Sequence, residues 1–117
     1  MTAPTSMDMH SAATELRAAI ADHDRLCREV GGDLRTGETG AEAAHKMALL
    51  KAHAASTALH PNRKVKEHEV AAEEASFAEW ARLTALQYEL RACREKMHSL
   101  RQVLSAYQTQ ARTESAA

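Results

Sequence analysis

Residues 90–112, LRACREKMHSLRQVLSAYQTQAR, carry two stripes of one helical period. Leu90, Cys93, Met97, Leu100, Leu104, Tyr107 and Ala111 recur every three and four positions, the spacing of a coiled-coil seam. Beside them run Arg91, Arg94, His98, Arg101 and Arg112, a basic flank. The apolar row predicts a long helix that buries one edge against another helix. The basic row is a solvated flank, a partner-selecting surface or a phosphate-contacting one.

Working outward, strand signals are nearly absent. Only two prolines and four glycines interrupt the chain, and the glycines gather between residues 31 and 40. The expected fold is therefore all-α, a long antiparallel helical hairpin or three-helix coiled-coil-like bundle, with helices over about 7–30, 40–59 and 63–112. A single helical domain over 7–112 is expected between flexible ends at 1–6 and 113–117. In the first helix the predicted seam is Met9, Ala13, Leu16, Ile20, His23, Cys27 and Val30, closed by Gly31 and Gly32. The second opens on a capping box of Thr39 and Glu42, presents Ala43, Met47, Leu50, Ala54 and Ala58 as its apolar face, and stops at His60-Pro61. The third would span roughly 75 Å at 1.5 Å per residue. That length matches the first two helices end to end, so the first can lie along its distal half. A compact bundle, with the first helix folded back on the second, is the competing layout.

At 117 residues the chain is large enough for one modest core. Its apolar fraction is 44% but its aromatic fraction only 3%, so alanine supplies much of the apolar count and each buried position removes little area from water. A thin core favours association, and a homo-oligomer, with a dimer favoured, is expected along a seam of Leu86, Leu90, Met97, Leu100, Leu104 and Tyr107. Lys and Arg number 15 against 16 Asp and Glu, so no global field selects nucleic acid or membrane. The opening MTAPTSMDMH has neither the charged nor the apolar region of a signal peptide, and no window has the length of a membrane span. A cytoplasmic location follows as the expectation.

Chemistry-bearing motifs fail on geometry. Glu42 with His45 and Glu95 with His98 have the Glu-x-x-His spacing of a di-iron bundle, but three of the four point away from their seams and His98 only flanks one. No two histidines stand four apart, and His68-Glu69 lacks the second histidine of a zinc-protease helix. His23, Cys27 and Cys93 offer three soft ligands at most, and such residues in a seam are usually packing groups. With no nucleophile elbow and no phosphate loop, the reading is a non-enzymatic chain without a cofactor or metal.

Two further features bear on surfaces. In HPNRKVKEH, residues 60–68, Arg63, Lys64 and Lys66 follow Asn62, the expected N-cap, where the helix dipole favours acids instead. These three are the candidate anion site, although they equally suit the carbonyl end of the preceding helix. Phe77 and Trp80 stand three apart, read as core filler ahead of a ligand platform. The third helix is also charge-segregated, with acids at Glu67, Glu69, Glu73, Glu74 and Glu79 and the bases beyond Arg82.

KVKEHEVAAEEA, residues 64–75, and ALQYELRACREKMHSLRQVLSAYQTQARTE, residues 85–114, together resemble a group of small all-α, coiled-coil-like proteins encoded by actinobacterial bacteriophages. The shared shape is a Lys- and Glu-rich entry, an alanine-rich helix and an arginine-rich heptad tail ending at Arg112 and Glu114. The resemblance implies an accessory factor in phage DNA recombination or replication, a virion component or an inhibitor of a host protein. Partners would be another copy, a further protein, or nucleic acid, and not a membrane. Secreted helical hairpins of actinobacteria do not fit, because Trp80 is followed by Ala81 and Arg82 inside a helix, with no glycine turn.

Overall fold

A computed structural model describes residues 8–116, with backbone alone at residue 116. Helix α1 is Met9–Gly31, α2 Ala41–Leu59, α3 Val65–Ala75 and α4 Phe77–Ala116. The all-α class expected from the sequence is observed, and among the described residues the only β feature is an isolated bridge between Asp33 and Glu38. The expected flexible segment 1–6, and the first turn of a helix starting at Met7, lie outside the described residues. At the other end α4 stays helical past Arg112 to Ala116.

The chain forms two compact units, one joining α1 up to Arg25 with α4 from Leu90, the other running from Leu26 to Glu89. In the first, Ala12, Ala19, Met97 and Leu100 make the core, with Leu16, Cys93, Val103 and Leu104 packed on it. Cys93 Sγ lies 3.2 Å from the carbonyl oxygen of Ala19, and Arg94 Nε donates to His23 Nε2 at 3.3 Å. The first helix thus lies along the distal half of the long helix, as the length match suggested. On α4 the row Leu90, Cys93, Met97, Leu100, Leu104, Tyr107 is buried or half-buried as read, whereas Ala111 is exposed.

On α1 the seam is rotated from the expected one. Met9 and Ile20 are exposed, and Ala12, Ala19 and Leu26 take the buried places, with Ala13, Leu16, His23, Cys27 and Val30 common to both readings. Alanines at 12 and 19 let the helix axes approach closely, so Met97 and Leu100 fill the space that larger residues on α1 would have taken. Before α1, the Asp8 carboxylate accepts from the Ser11 backbone N–H at 2.7 Å, and this bond holds the Asp8 pKa below its ordinary value. Its contribution is present above the unfolded carboxylate pKa and is lost as pH falls through the depressed folded one.

In the second unit, α1 ends where Gly32 turns left-handed at φ 86° and donates its N–H to Arg28 O at 2.7 Å. Asp33 then closes a tight loop, accepting from Gly37 N and, through its side chain, from Arg35 N. The expected Thr39–Glu42 capping box is absent. Gly40 is the N-cap and no side chain bonds there, because Gly40 sits against the backbone of Val30, Gly31 and Gly32 with no room for a Cβ. The predicted continuous third helix is broken at Ser76, at φ −103° and ψ 14°. Ser76 Oγ donates to Ala72 O at 2.7 Å beside the backbone bond from Ser76 N to the same carbonyl, and Trp80 N carries the ladder on to Ser76 O.

The apolar face assigned to α2 is overturned. Ala43, Met47, Leu50, Ala54 and Ala58 all face outward, Met47 being 52% and Leu50 71% exposed. Ala41 and Ser56 are buried instead, with Leu49 and Ala52 half-buried between them. Alanines lie all round this helix, so its pattern fixes no phase, and the antiparallel packing on α3 sets it instead.

Leu100→Asp should lower stability by roughly 3 kcal/mol or more, since the charge enters the α1–α4 core of the first unit unpaired. Thermal melts that leave the midpoint unchanged would show this core is not formed. Gly40→Ala should cost about 2 kcal/mol from overpacking, against about 1 kcal/mol for Gly37→Ala, which faces open space and suffers only from its positive φ. Chemical denaturation of the two variants checks the order.

Candidate functional site: a groove between α2 and the α3–α4 break

Antiparallel pairing about the turn at residues 60–64 brings Ser56 opposite His68. The Ser56 hydroxyl and His68 Nδ1 are 2.7 Å apart and buried, and Arg63 Nη1 donates to Ser56 Oγ at 3.1 Å. Arginine only donates, so Ser56 Oγ accepts from Arg63, and the direction of the Ser56–His68 bond follows the His68 tautomer. His53 stacks at a tilt on His68, ring centroids 5.7 Å apart. These two bonds pin α2 to α3 across the turn, and among the hydrogen bonds of the described residues no acid stands behind His68.

Two hollows lie further along the same helix pair. One, of about 480 Å³, is lined by His45 and Leu49 of α2, Glu73 of α3, Ser76 at the break, and Phe77 and Trp80 of α4. The other, of about 210 Å³, is lined by Leu49, Leu50 and His53 with Glu69, Ala72 and Glu73. Leu49 and Glu73 belong to both, so the hollows are one groove. The rings of Phe77 and Trp80 are 5.5 Å apart and tilted by 34°. Phe77 is 60% and Trp80 47% exposed, which overturns their reading as core filler. Both lie in the first turn of α4, directly after the break at Ser76. Tyr88, also on α4, is 66% exposed, so three of the chain's four aromatic residues lie outside the core.

The groove was missed because Ser56, His68, Leu49 and Glu73 belong to no motif. The available signal was the hairpin itself, since residues equidistant from the turn meet, as Ser56 and His68 do six positions either side of residue 62.

The candidate anion site is rearranged. Lys64, not Asn62, is the N-cap of α3, and Arg63 N donates to His60 O, so the turn extends two residues further than expected. Arg63 is held by Ser56, and only Lys66 lies in the first helical turn, where Glu67 accompanies it. Lys64 at the N-cap and Lys66 in the first turn therefore stand at the helix start, with Arg63 just before it. Arg63 and Lys66 share a shallow hollow with Glu67, Val70, Ala71 and Glu74. Arg91, Arg94, His98 and Arg101 are all exposed on α4; Arg94 reaches His23, and none of the four forms an ion pair within the described residues. Of the seam residues, Met97 and Leu100 are covered by α1 of the same chain, Leu90 is buried, and Leu86, Leu104 and Tyr107 are half-buried.

Among the described residues no cluster of three or more His, Cys, Asp or Glu is placed to hold a metal ion, and no helix is long and apolar enough to cross a membrane. The chain matches no protein-family model, no curated protein and no solved structure. Ser56→Ala should lower stability by about 2 kcal/mol by stranding His68 and Arg63, while Lys64→Gln and Lys66→Gln stay within about 0.5 kcal/mol. Urea titrations that rank the lysine changes above Ser56→Ala would remove the pin from the account of this turn.

Proposed function

We propose that the protein is a non-enzymatic helical interaction module that docks other proteins on the groove between α2 and the α3–α4 break. The observation that carries this reading is the placement of Phe77 and Trp80, half-exposed on a preformed hollow in a chain with few aromatics for its own core. Aromatic side chains in such positions are the commonest anchors of protein interfaces. The outward row Ala43, Met47, Leu50, Ala54 on α2 has heptad spacing, and we assign to it the self-association expected of a thin core. The resemblance to phage helical proteins supplies a setting, as an adaptor, an inhibitor of a host protein or an accessory to DNA metabolism.

A second reading, contact with nucleic acid, is favoured by the unneutralised row Arg91, Arg94, His98 and Arg101. Capture of proteins from a host lysate, with and without nuclease, separates the two. The paired change Phe77→Ser and Trp80→Ser should abolish capture that survives nuclease, while Arg91→Gln, Arg94→Gln and Arg101→Gln together leave it intact. Capture lost with nuclease or with the arginine changes, and indifferent to the aromatic ones, assigns the protein to nucleic acid instead.

A further inference from the structure

We infer that the groove takes one cationic amphipathic helix of a partner protein, with apolar residues seated on Leu49, Phe77 and Trp80 and Lys or Arg paired with Glu69 and Glu73. This rests on the interaction reading and adds the chemistry of the occupant. The floor is Leu49, Ala72 and the buried Ser76, whose hydroxyl is already committed to Ala72 O, so the floor offers no free polar group. An occupant must therefore present an apolar face to it.

The rim has one sign of charge. Glu69 and Glu73 line the groove, one helical turn apart, and neither forms an ion pair within the described residues. No Lys or Arg stands between residues 67 and 79, while Glu67 and Glu74 face the separate hollow they share with Arg63 and Lys66. On the α2 wall stand His45 and His53, while Lys46 is exposed, outside the lining, and paired with no carboxylate. From Glu69 to Trp80 the wall rises roughly 16 Å along the helix axis, the length of about three turns of a docked helix. A helix laid there with apolar residues at i, i+4 and i+7 places flanking cations at the same spacing as Glu69 and Glu73. Electrostatic complementarity of this kind selects partners more than it adds affinity.

Trp80 is the only tryptophan in the chain, so its fluorescence reports on the groove directly. The probes are two helix-forming peptides with the same leucine row, one flanked by lysine and the other by glutamate, titrated up to about 100 μM, a range in which weak docking is measurable. The lysine peptide should shift Trp80 emission saturably and the glutamate peptide should not. By fluorescence polarisation with labelled peptide, Glu69→Gln with Glu73→Gln should weaken binding about fivefold. Phe77→Ala should weaken it about tenfold or more while keeping the reporter, and Lys46→Glu should tighten it. These side chains are exposed or line an open groove, and circular dichroism confirms that each variant stays folded.

The proposal is overturned if the lysine peptide leaves Trp80 unchanged, if both peptides bind equally, or if the glutamine pair keeps full affinity. Tetramethylammonium chloride is the remaining probe, and displacement of the peptide at matched ionic strength would assign the groove to a small organic cation and overturn the helix. Peptides that fail while lysate capture still depends on Phe77 and Trp80 leave the interaction module standing and remove only this account of its occupant.

Discussion

The buried contact between Ser56 and His68, with Arg63 closing it from the turn, sets the arrangement of the second unit. A buried hydroxyl and imidazole without partners would each forfeit the hydrogen bond that water provided, a loss larger than the gain from burying an alanine. Because α2 carries alanine on nearly every side, hydrophobic burial alone distinguishes its faces weakly. The polar pin decides instead, and turning Ser56 inward turns Met47 and Leu50 outward. The same rotation aligns His45, Leu49 and His53 along the groove wall. A polar bond thereby determines where apolar surface is left for a partner.

Alanine plays a different part in the first unit. There Ala12 and Ala19 permit close approach of α1 to α4, and the bulk at the buried centre comes from Met97 and Leu100 of α4, with Leu16 of α1 packed against it. Close packing of this asymmetric kind recovers dispersion contacts despite the small side chains. The thiol–carbonyl contact across it, Cys93 to Ala19, fits a cysteine used as a small packing group.

The proposed docking groove lies at a local departure from helix regularity. The backbone leaves the helical ψ at Ser76, between α3 and α4, and Phe77 and Trp80 follow it beside the α2 wall. A fold with so few aromatics leaves most of them half in water, where each retains unused apolar area for association. Docking sites differ from cores in this respect: the apolar surface is formed in advance and its counterpart lies on another molecule.

The sequence by itself determined the helical class, the turn at Pro61, the glycine stop after α1 and the seam on α4 from Leu90 to Tyr107. Each of these follows from local rules, namely heptad spacing of large apolar residues, a proline that cannot donate, and glycines free to take positive φ. The faces of α1 and α2, the start of α3 and the break before α4 were decided only in the tertiary structure. On α1, alanine competes with Ile20 and Met9 for the seam, and the winner depends on how closely the facing helix can approach. On α2 the phase depends on a residue beyond the turn, and the cap depends on Gly40 meeting the end of α1. Nothing in the local pattern marks Ser76 as the place where the backbone leaves the helical ψ. The groove was therefore illegible residue by residue: its chemistry comes from side chains of three helices and the break between two of them, brought together by one hairpin pairing whose register no local pattern states.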